Sequence, residues 1–363
     1  MRPTTQSPIA DRCFSRYLVL GALFLCAAAS AQVAFKMAEG QMDISIDGKP
    51  LATYVWNDPK TTRPYFKQVQ ALGQVQVTRN HPPQPGDLSD HETYHPGIWW
   101  GFGDAGGNDY WRMKARVVGG RFLEEPQGGK DRGSFTVQNR MLTNAGDETF
   151  CEQINRYTIL RRPQGILLLC QTTLQRDQGD FWLGDQEEMG MAVRVATPIA
   201  VQSEKGGRVL DSAGRSNLQE IRTNQSDWCD YSGPIEGKHA GIMIMNDPSN
   251  FRRPWWHAVE TGLLIANPLG ESELKGRGKR KENVLVKKGE PFRLRYGVLI
   301  HVHDRAEQFD PARAYQDFLG VAEAAQSGAR NAPADQIAAS PATEDRSGAA
   351  GLSFTSTARQ INL

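Results

Sequence analysis

Short runs of alternating apolar and polar residues fill the middle of the chain and constrain its fold more than any other feature. Examples are MDISIDGKPLATYVW, GQVQVTR, RGSFTVQNRML and FRLRYGVLIHVH, and turn-forming Gly, Pro, Asn and Asp residues separate such runs. A period of two places successive side chains on opposite faces of a β-strand. The pattern therefore predicts an all-β fold, a large antiparallel β-sandwich.

Local signals at two places add detail to this prediction. In the segment FCEQINRYTILRRPQGILLLCQTTLQ, residues 162–165 supply a turn between two apolar runs, which is typical of a hairpin. In DPARAYQDFLGVAEAA, Asp310 can cap a short C-terminal helix and Pro311 suits its first position. Beyond this segment small and polar residues dominate, so we expect one sandwich domain over 32–322 and a disordered tail over 323–363.

The first 31 residues have the composition of a secretory signal peptide. Arg12 and Arg16 precede an apolar run over 17–29, and small residues follow up to Ala31. The run is too short to span a membrane. We therefore predict cleavage near Ala31 and a secreted or periplasmic protein.

The charge balance bears on the class of partner. The chain has 42 basic and 41 acidic residues, and removal of residues 1–31 takes away three basic side chains and one acidic side chain. The remaining chain is almost neutral, which argues against nucleic acid or an anionic membrane as the partner. We expect a carbohydrate or another small molecule instead.

Three cysteines lie beyond the predicted signal peptide. Cys151 and Cys170 flank the predicted hairpin and can form a disulfide, but buried free thiols in two strands are an equally good interpretation. Cys229 leaves an odd number, so the three cannot all pair within the chain.

A histidine-rich and tryptophan-rich segment, LSDHETYHPGIWWGFGDAGGNDYWR, carries the first candidate site residues. His91 and His95 are four residues apart, but Pro96 excludes a helix, so a loop must bring them together. Nearby carboxylates can orient their imidazole rings. The strand-like IWWGFG turns Trp99 and Trp100 to opposite faces, so one is expected in the core and the other can stack on a sugar.

Other segments each add an acid, a histidine or an aromatic residue. LGDQEEMGMAVRVA places Asp185, Glu187 and Glu188 before a strand, where a carboxylate can serve as general base or merely form a solvated turn. Further candidates lie in the segments SDWCDYSGP, RRPWWHAVETGLLIANPLG and LIHVHD; they are Trp228, Asp230, His257, Asn267, His301 and His303. Whether these segments converge in one pocket is a question of folding.

Five ordered motifs resemble those of a known bacterial family. SDHETYHPGIWWGFGDAGGNDYW, GDQEEMGMAVRVA, WCDYSGPIEGKHAGIMIMNDPSNFRRPWWH, LLIANPLG and LRYGVLIHVHD look like the family of unknown function labelled methane oxygenase PmoA-like. The resemblance covers residues 40–319 and implies a sandwich of the galactose-mutarotase type, in bacteria that degrade complex carbohydrates. Spanning apolar helices, which membrane methane oxygenases require, are not predicted beyond the signal peptide.

Together these features favour a carbohydrate-active enzyme, an epimerase, lyase or hydrolase that works by general acid/base chemistry. The predicted catalytic residues are His91, His95, Glu188, Asp230, His257 and His301. The predicted substrate-binding residues are Trp99 or Trp100, Trp228 and Asn267.

Three alternatives stay open at this point. The first is a non-catalytic carbohydrate-binding protein that uses the same aromatic residues. The second is a metal-dependent enzyme, an oxygenase as the family label implies, with a copper, zinc or iron ion held by His91, His95 and a further histidine or carboxylate. The third is a structural domain in which the histidines are buried and hydrogen-bonded.

Overall fold

A computed structural model describes residues 32–276 and 282–330 of the chain. Within these ranges the chain forms eighteen strands, β1 to β18. In chain order they are Val33–Ala38, Gln41–Ile46, Lys49–Val55, Tyr65–Lys67, Ile98–Phe102, Val117–Gln127, Arg132–Leu142, Thr149–Arg162, Gly165–Gln175, Phe181–Leu183, Met189–Arg194, Arg208–Asp211, Trp228–Ile235, Lys238–Asn246, Trp255–Ala258, Leu263–Asn267, Val284–Val286 and Phe292–His303.

Sixteen of the strands form two eight-stranded antiparallel sheets. The first sheet has the order β1-β2-β3-β4-β5-β11-β16-β15, and the second has the order β12-β13-β14-β18-β9-β8-β7-β6. Strands β10 and β17 form a separate two-stranded ribbon. The predicted hairpin is confirmed, because Arg162 at the end of β8 pairs with Gly165 at the start of β9.

Aromatic side chains join the inner faces of the two sheets. Tyr54 and Phe66 of the first sheet contact Tyr157 of the second, with ring centroids 5.5 and 4.9 Å apart. Trp100 lies 5.8 Å from Tyr296 in the same way. One continuous hydrophobic core therefore fills the space between the sheets, and the predicted all-β sandwich is confirmed.

Three α-helices accompany the strands, α1 (Leu218–Thr223), α2 (Glu271–Leu274) and α3 (Pro311–Arg330). Of the described residues, those up to Phe309 form one compact unit and those from Asp310 to Arg330, which include α3, belong to another. The predicted start of the C-terminal helix at Pro311 is confirmed. The helix passes residue 323 and continues to Arg330, while the predicted limits of domain and tail remain predictions.

The face of the first sheet that points away from the second sheet carries its own apolar cluster. We call this face the outer face of the first sheet. Its buried residues are Val55, Tyr65, Trp99, Trp111, Ala192, Leu263 and Ile265. Trp99 thus lies on the outer face and Trp100 in the main core, so the two point to opposite faces as predicted.

The cysteine and targeting predictions have different outcomes. Cys151, Cys170 and Cys229 are buried free thiols, so the predicted alternative of a disulfide between the first two is not realised. The predicted signal peptide lies outside the described residues. Among the helices within the described residues, none has both the length and the apolar character to cross a membrane.

Candidate functional site

A row of paired residues crosses four strands and places two candidates, Trp99 and His257, on the outer face of the first sheet. Trp99 of β5 pairs with Ala192 of β11, Ala192 with Ile265 of β16, and Ile265 with His257 of β15. Residues directly opposite one another in an antiparallel sheet share a face. Arg194, two residues after Ala192, therefore points to the same face as Trp99 and His257.

Buried arginines hold the loop that carries His91 and His95. Arg79 Nη1 donates to the carbonyl oxygens of Leu88 and Asp90, both at 2.8 Å, and its Nη2 donates to the carbonyl of His95 at 3.0 Å. The carbonyl of Tyr94 accepts from Arg63. Charge-assisted hydrogen bonds of this kind fix the loop through its backbone.

His95 lies in the middle of this arrangement, 3 % exposed. Its ring stacks between His91, with centroids 4.8 Å apart, and Trp99, at 5.6 Å. Its Nδ1 atom is 3.3 Å from Nη1 of Arg194. A guanidinium group can only donate, so Nδ1 accepts and the proton of the neutral ring belongs on Nε2. Burial, together with the positive charge of Arg194, lowers the pKa of His95 far below its usual value.

The same residues offer a candidate metal centre. One ligand atom from each of Asp90, His91 and His95 lies within 4.8 Å of the others. However, Arg194 donates to Asp90 Oδ1 at 2.5 Å and to His95 Nδ1, so a permanent cation already contacts two of the three ligands. The two imidazole rings are also stacked, with 18° between their planes, so their in-plane lone pairs do not meet at one point. This donor set does not fit a metal ion.

Glu188 is the partly buried acid of the outer face, with its side chain 14 % exposed. It forms an ion pair with Arg112, which is also 3.5 Å from Asp109. Burial raises the pKa of Glu188, and the negative charges of Glu187 and Asp109 raise it further. Together these effects outweigh Arg112 and His91, which lower it. Glu188 therefore retains a proton to higher pH than an ordinary glutamate.

Its neighbour Glu187 is shifted in the opposite direction. Burial raises the pKa of Glu187, but a hydrogen bond from Arg222 and the charges of His257, Arg222 and Arg112 together lower it below its usual value. Arg222 Nη2 donates to Glu187 Oε2 at 2.5 Å. Glu187 is thus a carboxylate over a wider pH range than Glu188.

His257 repeats the arrangement found at His95. Arg222, on helix α1, places Nη1 2.5 Å from Nδ1 of His257. Nδ1 must accept, which puts the proton of the neutral ring on Nε2. Burial lowers the pKa of His257 to about 4, and the charge of Arg222 contributes in the same direction. The ring is therefore neutral at pH 7.

Two buried side chains position the acidic segment. Asp185 is fully buried and accepts backbone N–H groups from Ser272, Glu273 and Glu282. Asn267 donates from Nδ2 to the carbonyl of Gln186 at 2.6 Å. Asp185 is therefore a structural residue rather than a solvated one, and Asn267, predicted to bind substrate, holds the backbone next to Glu187.

Four of the six predicted catalytic residues, His91, His95, Glu188 and His257, lie at the outer face of the first sheet, and His257 is on β15, three strands away from β5. The other two, Asp230 and His301, lie on β13 and β18 of the second sheet and so do not join the first four, contrary to prediction. There His301 Nε2 is 2.9 Å from Asp230 Oδ1, and both side chains are buried. Strand alternation shows which residues share a face, but it does not show which sheet a strand joins.

The predicted aromatic platform is also different. Trp100 is in the core between the sheets, and Trp228 lies on the second sheet. Both are buried, and Trp99 on the outer face is only 1 % exposed. Ionisable side chains are more accessible around the site; they are Asp90, His91, Arg112, Glu187 and Arg222.

The arginines around this site were missed by sequence reasoning. Arg194 had a usable signal, because it interrupts the otherwise apolar strand GMAVRVA and a charge there must be either paired or functional. Arg63 and Arg222 stand in polar segments, where an arginine normally indicates a solvated surface.

The fold and the site define an all-β sandwich protein with a cluster of acids, arginines and neutral histidines on the outer face of one sheet. Residues 41–315 match the family of unknown function designated DUF6807. The chain belongs to that family. No curated protein matches the chain.

Two solved structures show a low degree of similarity. One is a GH36 α-galactosidase of Geobacillus stearothermophilus in complex with raffinose, at 13 % identity and a TM-score of 0.33, over 70 % of this chain and 40 % of that chain. The other is a galactose mutarotase-like protein of Clostridium acetobutylicum, at 8 % identity and a TM-score of 0.32, over 76 % and 99 %. The present chain thus spans less than half of the galactosidase. At these TM-scores neither likeness supports a functional conclusion.

Proposed function

We propose that the protein is a carbohydrate-active enzyme whose reaction is a proton transfer on a sugar, with Glu188 as general acid and Glu187 as general base. The observation that carries this proposal is the pair of adjacent glutamates with pKa values shifted in opposite directions. Such a separation assigns one carboxyl group to the protonated role and the other to the ionised role. The sugar itself comes from the family resemblance, and the geometry supports the proton transfer.

Each neighbour has a defined part in this scheme. Glu188 donates its proton to an oxygen of the substrate, and Arg112 stabilises the carboxylate that remains. Glu187, held by Arg222, accepts a proton from the substrate. His257 and His95 are neutral and donate hydrogen bonds rather than act as bases, which differs from the predicted role of a histidine as the acid.

The test is turnover of a panel of sugars and sugar derivatives by the wild type and by three variants. We expect Glu188→Gln and Glu187→Gln each to lower kcat by about 10²–10⁴. Glu125→Gln is the matched control, because Glu125 is an exposed glutamate on β6 of the second sheet. It should leave kcat unchanged. Circular dichroism should show the same fold for all four proteins.

The pH profile of kcat provides a second readout. The rate should fall at high pH as Glu188 loses its proton, and at low pH as Glu187 gains one. In Glu188→Gln the high-pH limb should disappear. Binding of sugars with no turnover by the wild type would favour the non-catalytic alternative, and full activity of Glu188→Gln would remove its proposed role.

The metal-dependent oxygenase, which only the resemblance to the PmoA-like family implies, needs a metal ion held by His91, His95 and a third ligand, and the contacts of Arg194 argue against that. We expect the purified protein, dialysed against a chelator, to keep its melting temperature and its activity. A loss of either that returns with one metal would reverse this view. Secretion, which the amino-terminal sequence predicts, remains part of the proposal.

A further inference from the structure

We infer that the loop around His95 forms an anion-binding subsite, so that the substrate of the proposed acid/base centre carries a carboxylate, as a sugar acid does. This inference rests on the proposed function and names the substrate class of the same site. Three buried guanidinium groups and one unpartnered N–H donor carry it.

Three arginines bury their positive charge around this loop. Arg63, Arg79 and Arg194 are 2 %, 1 % and 0 % exposed. Within the described part of the chain, Asp90 is the one carboxylate in ion-pair contact with any of them, 2.5 Å from Arg194 and 3.6 Å from Arg79. Buried charges are costly unless they are compensated. The three cations therefore have only partial compensation.

Arg63 illustrates the deficit. Its guanidinium group donates to the carbonyl oxygens of Tyr110 and Trp111, at 3.2 and 2.6 Å, besides that of Tyr94. It also lies 5.5 and 5.7 Å from the ring centres of Trp99 and Trp111. These contacts are hydrogen bonds from Nη1 and Nη2 and contacts with rings, and none of them supplies a full negative charge. Burial lowers the pKa of Arg63 to about 9, which shows the cost of the cation.

Four other carboxylates act on these arginines from a longer distance, Glu188 and Asp109 on Arg63, and Asp87 and Glu92 on Arg79. Glu188 and Asp109 both pair with Arg112, which is partly exposed. Asp87 accepts hydrogen bonds from Asn80 and Thr197. Among the described residues none of these four forms an ion pair with Arg63, Arg79 or Arg194, so they offset the buried charge only at longer range.

His95 supplies a directed donor beside these arginines. Arg194 occupies its Nδ1 atom, so Nε2 carries the proton, and within the described residues Nε2 is buried without a hydrogen-bond partner. A buried N–H group left unpaired is costly, and a carboxylate oxygen is its strongest partner. His91 stacks on this ring, and its own side chain is 58 % exposed.

The experiment measures the binding of matched pairs of sugars. The members of a pair differ at one carbon atom, which is a carboxylate in the acid and not in its neutral partner. Isothermal titration calorimetry at pH 7 and low salt compares D-galacturonate with D-galactose and D-glucuronate with D-glucose, with sodium acetate as the bare carboxylate. We expect at least one acid to bind about tenfold more tightly than its neutral partner, equivalent to about 1.4 kcal/mol. Added salt should reduce this preference.

Three variants assign the preference to residues. His95→Phe keeps a flat ring in the stack but removes the N–H donor, so the preference for the acid should be lost. His303→Phe makes the same exchange on the second sheet and should leave binding unchanged. Asp90→Asn keeps an oxygen that can accept from Arg194 but removes the one contacting negative charge, so it should increase the affinity for the acid several-fold. A metal site would predict the opposite effect of Asp90→Asn.

The outcomes are distinct from those that test the proposed function. Equal binding of acid and neutral sugar, or weaker binding by Asp90→Asn, overturns the subsite. Acetate that binds as tightly as the sugar acids overturns the sugar part of the inference and leaves a site for small anions. Turnover of neutral sugars without any preference for acids keeps the proposed function and removes the subsite. Tight binding of an acid that the wild type never converts keeps the subsite and removes the proposed function.

Discussion

His95 and His257, in different strands and loops, have the same chemical environment. In each case an arginine donates to Nδ1, and burial lowers the pKa of the ring. The arginine settles the tautomer because a guanidinium group has no acceptor. Both histidines are therefore neutral donors through Nε2 at pH 7, a role that fits the binding of substrate oxygens better than proton abstraction.

His257 allows a direct test of this assignment by NMR. Its ring should titrate near pH 4 and show the Nε2–H form above that value. Arg222→Gln removes the neighbouring positive charge, so the pKa of His257 should rise. It should stay below its ordinary value of about 6.5, since burial is the larger cause. A ring protonated on Nδ1, or a pKa that Arg222→Gln leaves unchanged, would contradict the assignment.

At this scale the sequence predicts residue types better than their roles. The segments of His91, His95, Glu188 and His257 could be selected because acids and histidines have few uses besides chemistry and ion pairing. The roles of these residues could not be predicted, because the pKa of each depends on arginines that are distant in sequence. Arg194 is 104 residues from Asp90, yet it forms an ion pair with it.

Gly101 of strand β5 makes room for Trp111 at the site. Gly101 and Gly190 are directly opposite one another in the first sheet. A Cβ atom on Gly101 would lie 2.3 Å from a ring carbon of Trp111, which packs on the outer face at this point. The absence of a side chain therefore allows Trp111 to approach the sheet and to contact His95.

Substitution of Gly101 measures the importance of this close approach. Gly101→Ala should lower the free energy of unfolding by about 1–3 kcal/mol, because the buried Trp111 ring must move. Gly320→Ala is the control, since Gly320 lies in helix α3 and a Cβ atom there meets nothing within 4 Å. It should raise stability by about 0.5–1 kcal/mol. Urea unfolding gives both values, and equal effects of the two variants would contradict this explanation.

The strands themselves could be predicted from alternation and turns. The opposite faces of Trp99 and Trp100 and the hairpin at residues 162–165 follow from period and turn chemistry alone. The partners of each strand could not be predicted in this way. For that reason Asp230 and His301 were assigned to the same site as His91, although their strands belong to the second sheet.

Across the whole molecule, five histidines share a lowered pKa. For all of them burial is the largest cause; they are His81, His95, His239, His257 and His303. Below an unfolded value of about 6.5 the unfolded chain binds protons that the folded chain refuses. The stability contributed by each neutral ring is therefore complete above pH 6.5 and is lost as pH falls toward its folded pKa.

We accordingly expect the melting temperature to fall between pH 7 and pH 4.5, on the order of several degrees. Glu188 opposes this trend, because its raised pKa means that the folded chain binds a proton there more readily than the unfolded chain. The change should be smaller in a His257→Gln variant, which lacks one of the buried rings. Differential scanning calorimetry across this pH range measures both, and a melting temperature that rises on acidification would contradict the expectation.

The way in which the arginines hold the His95 loop has a consequence for sequence variation. Arg79 and Arg63 donate hydrogen bonds to the backbone carbonyl oxygens of four residues, Leu88, Asp90, Tyr94 and His95. Every amino acid has this backbone atom. Side chains between these anchors can therefore be exchanged while the path of the loop is preserved. As long as the two arginines are kept, substitutions in this loop should alter ligand preference without altering the backbone path that presents it.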